Sequence, residues 1–149
     1  MNIDEILEKV ASGNLSASKA KKLLQLDSIT KVGNIAKLDT GRASRKGIPE
    51  IILAEGKSPQ QVVKIAKSMF QNSGKVIISR INSSCLKEIS KTFPKKYIKT
   101  NDLARTIVIS NQKPRQKLLG SVAIITAGTA DIPVAEESKV ILEEVGCKI

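Results

Sequence analysis

Between residues 50 and 110 the chain carries short β-branched runs, Ile51-Ile52-Leu53, Lys75 to Ile81 and Thr106 to Ser110, separated by stretches of helical length. Strands buried on both faces read as nearly continuous apolar runs, and their alternation with helices produces an α/β layer structure. The stretch after the first run has all the marks of a helix. Ser58 stands at the N-cap, Pro59 in the first turn, and Gln61 completes a capping box, while Val62, Ile65, Ala66 and Met69 form one face. Gly74 ends that unit. Ser83 is expected to cap a shorter helix through Lys91 that Pro94 terminates. Ile35 to Leu38 reads as a further strand, followed by the polar loop TGRASRKG.

Upstream, the pattern is that of a helical hairpin. Asn2 can cap a first helix with the stripe Ile3, Ile6, Leu7 and Val10. Gly13 and Asn14 stop it, and Ser16 can cap a second with Ala20, Leu23 and Leu24 at helical spacing. Asp27 to Asn34 has no sustained period and reads as a connector. Downstream, the polar NQKPRQK at 111–117 has the composition of a linker. Beyond it come an apolar run, Val122 to Thr126, expected to be a buried strand, the turn AGTAD, and a helix opened by Pro133 and closed by Gly146. The expected organisation is a hairpin plus small α/β domain over 1–117, then at 118–149 the first strand-loop-helix of a second, incomplete domain.

Charge divides the chain at the same place. Of the net +11, residues 1–30 contribute nothing, 31–117 carry nineteen basic residues against five acidic ones, and 118–149 are net −3. The chain contains no histidine, which removes the commonest general base and metal ligand and every Ser-His or Cys-His pairing within it. Cys85 and Cys147 stand too far apart for metal-ligand spacing and are read as reduced packing residues. The N-terminus lacks the basic and apolar regions of a signal peptide, and no apolar run approaches about 18 residues, so a cytoplasmic protein is expected.

Two segments are suited to binding anions. In Ala127-Gly128-Thr129-Ala130-Asp131, between an expected strand and a helix N-terminus, unpaired backbone N–H groups and the helix dipole favour a phosphate. Thr129 adds a hydroxyl, and Asp131 can accept from ribose hydroxyls; equally, both can simply cap the helix. In the loop Thr40 to Gly47, Arg42, Arg45 and Lys46 can grip phosphate, or the loop is solvated and its arginines pair with Asp39 and Glu50. Gly56-Lys57-Ser58 is not a P-loop, because Ile51 stands where its first glycine belongs, but Lys57 sits beside a helix N-terminus and can meet an anion.

The run ITAGTADIPVAEES resembles the opening motif of 5-aminoimidazole ribonucleotide carboxylases and the related mutases, with the Gly128 to Asp131 loop carrying the likeness. It is still more similar to the variant in the pyridinium-3,5-biscarboxylic acid mononucleotide synthase family of nickel-pincer cofactor assembly. LDTGRASRKGIPEIILAEGKSPQQV resembles the N-terminal domain of that family at Leu38, Asp39, Arg42, Arg45, Gly47, Pro49, Glu50, Gly56 and Lys57, and Ser79-Arg80 ends the next run similarly. The resemblance implies a flavodoxin-like parallel sheet beginning at residue 118. It implies a carboxylase or synthase acting on nicotinic acid adenine dinucleotide, with carbon dioxide or bicarbonate as co-substrate, Mg2+ as a candidate ion and no tightly bound cofactor. It also implies a homo-oligomer when full-length, and nucleotide-binding roles for Arg42, Arg45, Lys57, Arg80, Gly128, Thr129 and Asp131. The family's nucleophilic cysteine matches neither Cys85 nor Cys147, so the chain is expected to be catalytically incomplete.

Purine-type carboxylation and nucleic-acid binding are the alternatives. The basic middle segment favours the latter. Against it, Phe70, Phe93 and Tyr97 are the only aromatic residues, and 20 lysines against 5 arginines suit neither base stacking nor base-edge reading.

Overall fold

A computed structural model of the chain describes residues 3–27, 29–32, 36–39, 50–112 and 119–149. Two N-terminal helices, α1 (Ile3–Ala11) and α2 (Ala17–Asp27), form the expected hairpin, with Ile6 and Ala20 buried. The Ser16 hydroxyl accepts the Lys19 N–H at 3.3 Å, as the cap assignment requires. The connector reading of 27–34 is corrected. Strand β1 (Ile29–Val32) pairs antiparallel with β2 (Ala36–Asp39), Ile29 opposite Asp39 and Val32 opposite Ala36. Four residues are too few to show a period, so this strand is specified by its partner rather than by its own pattern.

The central sheet contains β3 (Ile51–Leu53), β4 (Lys75–Ser79), β5 (Ile98–Asn101) and β6 (Thr106–Ser110), in the order β3-β4-β6-β5. β3 and β4 are parallel, joined through helix α3 (Pro59–Ser73), whereas β4–β6 and β6–β5 are antiparallel. The chain is therefore α/β with a mixed sheet. The capping box forms as expected: Ser58 Oγ accepts from Gln61 N–H, and Gln61 Oε1 accepts from Ser58 N–H at 2.9 Å. Helix α4 (Ser83–Thr92) starts one residue away from expectation, because Asn82 rather than Ser83 is its cap, accepting the Cys85 N–H at 2.9 Å. Strand β5 follows a 3-10 turn at Lys95–Tyr97 and was not legible, since its sequence Ile-Lys-Thr-Asn exposes two of four residues.

Side chains of one parity on the sheet, Ile52, Val76, Ile78, Ile107 and Ile109, pack under Val62, Ile65, Ala66 and Met69 of α3 and Cys85 and Ile89 of α4. Those of the other parity, Ile77 and Val108, pack with Ala104 against Val140 of the last helix, α5 (Ile132–Val145). The result is three layers, with the sheet covered on both faces.

The expected buried strand at Val122–Thr126 is not found. The strand, β7, is Gly120–Ser121, parallel to β8 (Cys147–Lys148) across helix α5, and pairing ends with Val122 N–H donating to Lys148 O at 2.8 Å. Residues past 122 have no strand beside them among the described residues, and Ile125 is 91% exposed. An apolar run becomes a strand only where a partner satisfies its backbone groups.

Gly74 caps α3 with φ +66, and a Cβ there would lie 2.5 Å from Asn111 Oδ1. Gly74→Ala is expected to destabilise the fold by about 1–2 kcal/mol from the left-handed backbone alone. Ile107→Ala, at a side chain with no exposed surface, should lose about 2–5 kcal/mol. Urea unfolding midpoints check both.

Candidate functional site

Helix α5 is tied to β4 at both ends of the strand. Lys75, at the start of β4, donates through Nζ to the Glu144 carbonyl at 2.9 Å and pairs with its carboxylate at 2.5 Å. At the far end, Ser79 Oγ donates to Glu137 Oε1, and Arg80 Nε lies 3.9 Å from Glu137 Oε2. The helix consequently runs antiparallel to β4. Its N-terminus, with the Gly128 to Asp131 loop, lies at the carboxyl ends of β3 and β4. That is where open parallel sheets place ligands.

Arg80 is held from three directions at this end. Its backbone adopts φ +52, a region that non-glycine residues occupy only at a cost of about 1–2 kcal/mol. Its Nη1 donates to Glu55 Oε2 at 2.9 Å, and Glu137 approaches from α5. The hydrogen bond to Glu55, then the charges of Glu55 and Glu137, raise its pKa further. Half of the side chain remains exposed, so the guanidinium is oriented without being sealed. Arg105 mirrors it just before β6, with φ +50, its carbonyl accepting Ile81 N–H and its Nε donating to Ile81 O at 3.2 Å. Neither conformation leaves a sign in the sequence.

Lys57 is two residues from Arg80's partner Glu55, in a turn closed by Lys57 N–H donating to Ala54 O and made possible by Gly56 at φ +76. Its Nζ donates to Leu53 O at 2.8 Å. Lys57 and Arg80 thus follow β3 and β4 at the same end of the sheet.

In the loop before α5, Thr129–Asp131 form a 3-10 turn in which Asp131 N–H donates to Gly128 O at 3.1 Å. Neither the Gly128 to Asp131 turn nor α5 has a side-chain cap, so the bland reading of Thr129 and Asp131 as capping groups does not describe this geometry. All of residues 125–131 are exposed. Gly128 has φ −121, and a Cβ added to it would meet only Asp131 Oδ2, 3.7 Å away, so the backbone does not itself demand glycine. The loop containing Gly41, Arg42, Arg45, Lys46 and Gly47 lies outside the described residues. So does the side chain of Asp39.

Cys85 has no exposed surface and packs in the core beneath the sheet. Desolvation raises its thiol pKa, against a smaller lowering from the hydrogen bond with Asn82. This is a packing cysteine rather than a nucleophile. The contact between Ser79 and Glu137 was missed by sequence reasoning, because it spans 58 positions and no local pattern announces it.

Two outcomes follow from these contacts. Above the ordinary thiol value of 9.0 the unfolded chain ionises at Cys85 before the folded one does, so this cysteine's contribution to stability is retained below pH 9.0 and lost above it. Thiol titration of the native chain at pH 8 should accordingly modify Cys147 and spare Cys85 until denaturant is added. Glu137→Ala removes the acceptor for Ser79 and one of two carboxylates facing Arg80. Hydrogen exchange should accelerate in 132–145 and stay unchanged in β4 and β6.

Among the described residues no helix is long and apolar enough to cross a membrane. The family model for the LarB/PurE-like N-terminal domain matches residues 29–112, more than half of the chain. An uncharacterized protein of Methanocaldococcus jannaschii is 34% identical over 148 residues, covering 97% of this chain and 58% of that protein. The chain therefore spans well under two thirds of the relative's length. The matched segment contains the four-stranded sheet, both helices on its first face, and Lys57 and Arg80 at its carboxyl end. On this match the chain belongs to the LarB/PurE-like family through its N-terminal domain.

Proposed function

We propose that this chain is part of a nucleotide-carboxylating enzyme whose substrate is nicotinic acid adenine dinucleotide, carboxylated on its pyridinium ring and cleaved at its phosphoanhydride. The observation that carries the reading is the family match over 29–112. The common location of Lys57, Arg80 and the Gly128 to Asp131 loop at one sheet end supports it. The positive end of the α5 dipole, which no side chain caps, favours a phosphate, and Lys57 and Arg80 add positive charge. Arg42 and Arg45 are proposed to grip the second phosphate bidentately. Carbon dioxide or bicarbonate would supply the added carbon.

The chain's own groups bind and orient in this proposal. With Cys85 buried and protonated, neither it nor Cys147 is assigned the nucleophile's role. Mg2+ would enter as the counterion of the substrate's phosphates, which suits an ion that keeps most of its waters. Among the described residues no group of three or more carboxylates and thiols is placed to hold a metal, so no step is routed through a resident ion.

Calorimetric titration of the purified chain with nicotinic acid adenine dinucleotide, with and without Mg2+, tests the reading. Saturable binding weakened at least about tenfold by Arg42→Ala or Arg45→Ala is expected, the effect of removing one charged hydrogen-bonding group. Binding of duplex or single-stranded DNA that falls steeply with salt, with no dinucleotide binding, would replace it with the nucleic-acid alternative.

A further inference from the structure

We infer that the seam between α5 and strands β5 and β6 is a second binding site, for a small oxyanion presenting a carboxylate or phosphate group. A cavity of about 210 Å3 opens there, lined among others by Lys99, Asn101, Thr106, Val108, Lys139 and Glu143. Pairing across the sheet sets Asn101 opposite Thr106 and Lys99 opposite Val108, so these four side chains share the face that α5 covers.

Thr106 supplies the directing observation. It is 1% exposed, and among the described residues its hydroxyl has no hydrogen-bond partner. Buried polar groups are nearly always paired, so an orphan on a residue that lines a cavity marks where a partner belongs. Asn101 cannot be that partner. Its Oδ1 accepts Ala104 N–H at 2.9 Å and its Nδ2 donates to Glu136 Oε2 at 3.0 Å. The floor, Val108 and Val140, is apolar.

What remains to face a ligand, besides the Glu143 carboxylate, is a set of donors. The two lysines stand on opposite walls, one on β5 and one on α5. Lys99 Nζ is 4.0 Å from Glu143 Oε2 and Lys139 Nζ is 3.5 Å from Glu136 Oε1, contacts that leave most of each ammonium's three donors unused. A hydroxyl and two ammonium groups call for a ligand with several acceptors and negative charge. A single water does not fill the space, which has room for about seven. Glu143 is the internal competitor: an oxyanion would take Lys99 from a pair already at the limit of contact.

This site lies on the α5 face of β5 and β6, whereas Lys57 and Arg80 follow β3 and β4, so the inference does not depend on the nucleotide proposal. The experiment is an NMR titration of the isotope-labelled 149-residue chain at constant ionic strength with inorganic phosphate, with bicarbonate and, separately, with AMP. Saturable shifts are expected at residues 99–101, 106–108 and 139–143 with at least one of the three. Saturation by AMP alone would identify a nucleotide phosphate as the source, and saturation by the inorganic ions a free anion. Thr106→Val, nearly isosteric and lacking the hydroxyl, should weaken binding at least about tenfold. The double variant Lys99→Gln, Lys139→Gln alters exposed side chains and should do the same if the valine variant fails to fold. Shifts that stay linear with all three anions, or an affinity unchanged in the folded variants, would overturn the inference.

Discussion

Ile77 and Ile78 are adjacent in β4, have no exposed surface, and point into different cores. One packs toward α5, the other toward α3 and α4. Each core buries apolar area worth roughly 25 cal/mol per Å2, and β4 is the strand that makes the two inseparable. Its neighbours inherit their positions from it: β3 by parallel pairing through the capped helix α3, β6 by antiparallel pairing, and β5 through β6. The carboxyl end of β4 then fixes where Arg80 stands.

The same strand explains which parts of the fold the sequence disclosed. Val76 to Ser79 are buried without a break, so the run reads plainly as a strand between two layers. The capping box at Ser58 and Gln61 is equally legible, because each of its contacts spans three residues. The illegible elements were β1, β5 and the largely exposed 122–126. For these the deciding contact is distant or missing: Ile29 needs Asp39, Ile98 needs Ile109, and Val122 finds only Lys148. Composition supplies apolar character, but pairing decides whether it becomes sheet.

The candidate site divides in the same way. Lys57 and the Gly128 to Asp131 loop were visible as residues next to helix N-termini, a local property. The left-handed backbones of Arg80 and Arg105 were not, since they arise just beyond the β4–β6 ladder, where Ile81 N–H still donates to Arg105 O. Ser79 and Glu137 meet only because α5 lies antiparallel over β4. Orientation of Arg80 is therefore a tertiary property, even though the arginine itself was picked out by its motif.

Electrostatics joins these observations. The change in charge near residue 118 places four glutamates, Glu136, Glu137, Glu143 and Glu144, on the helix that covers the second face of the sheet. Their partners are Asn101 and Lys139, Ser79 and Arg80, Lys99, and Lys75. The Lys75–Glu144 pair, with both side chains about one-fifth exposed, is less screened than the Lys99–Glu143 pair at the rim. The acid helix thus neutralises part of the cationic segment from within, at specific lysines, and sets the direction of α5 through them. Lys99 and Lys139 along the seam and Arg80 at the sheet's end keep N–H donors beyond these pairings. A seam of that kind selects small anions by geometry, whereas a continuous basic surface would gather polyanions by charge alone.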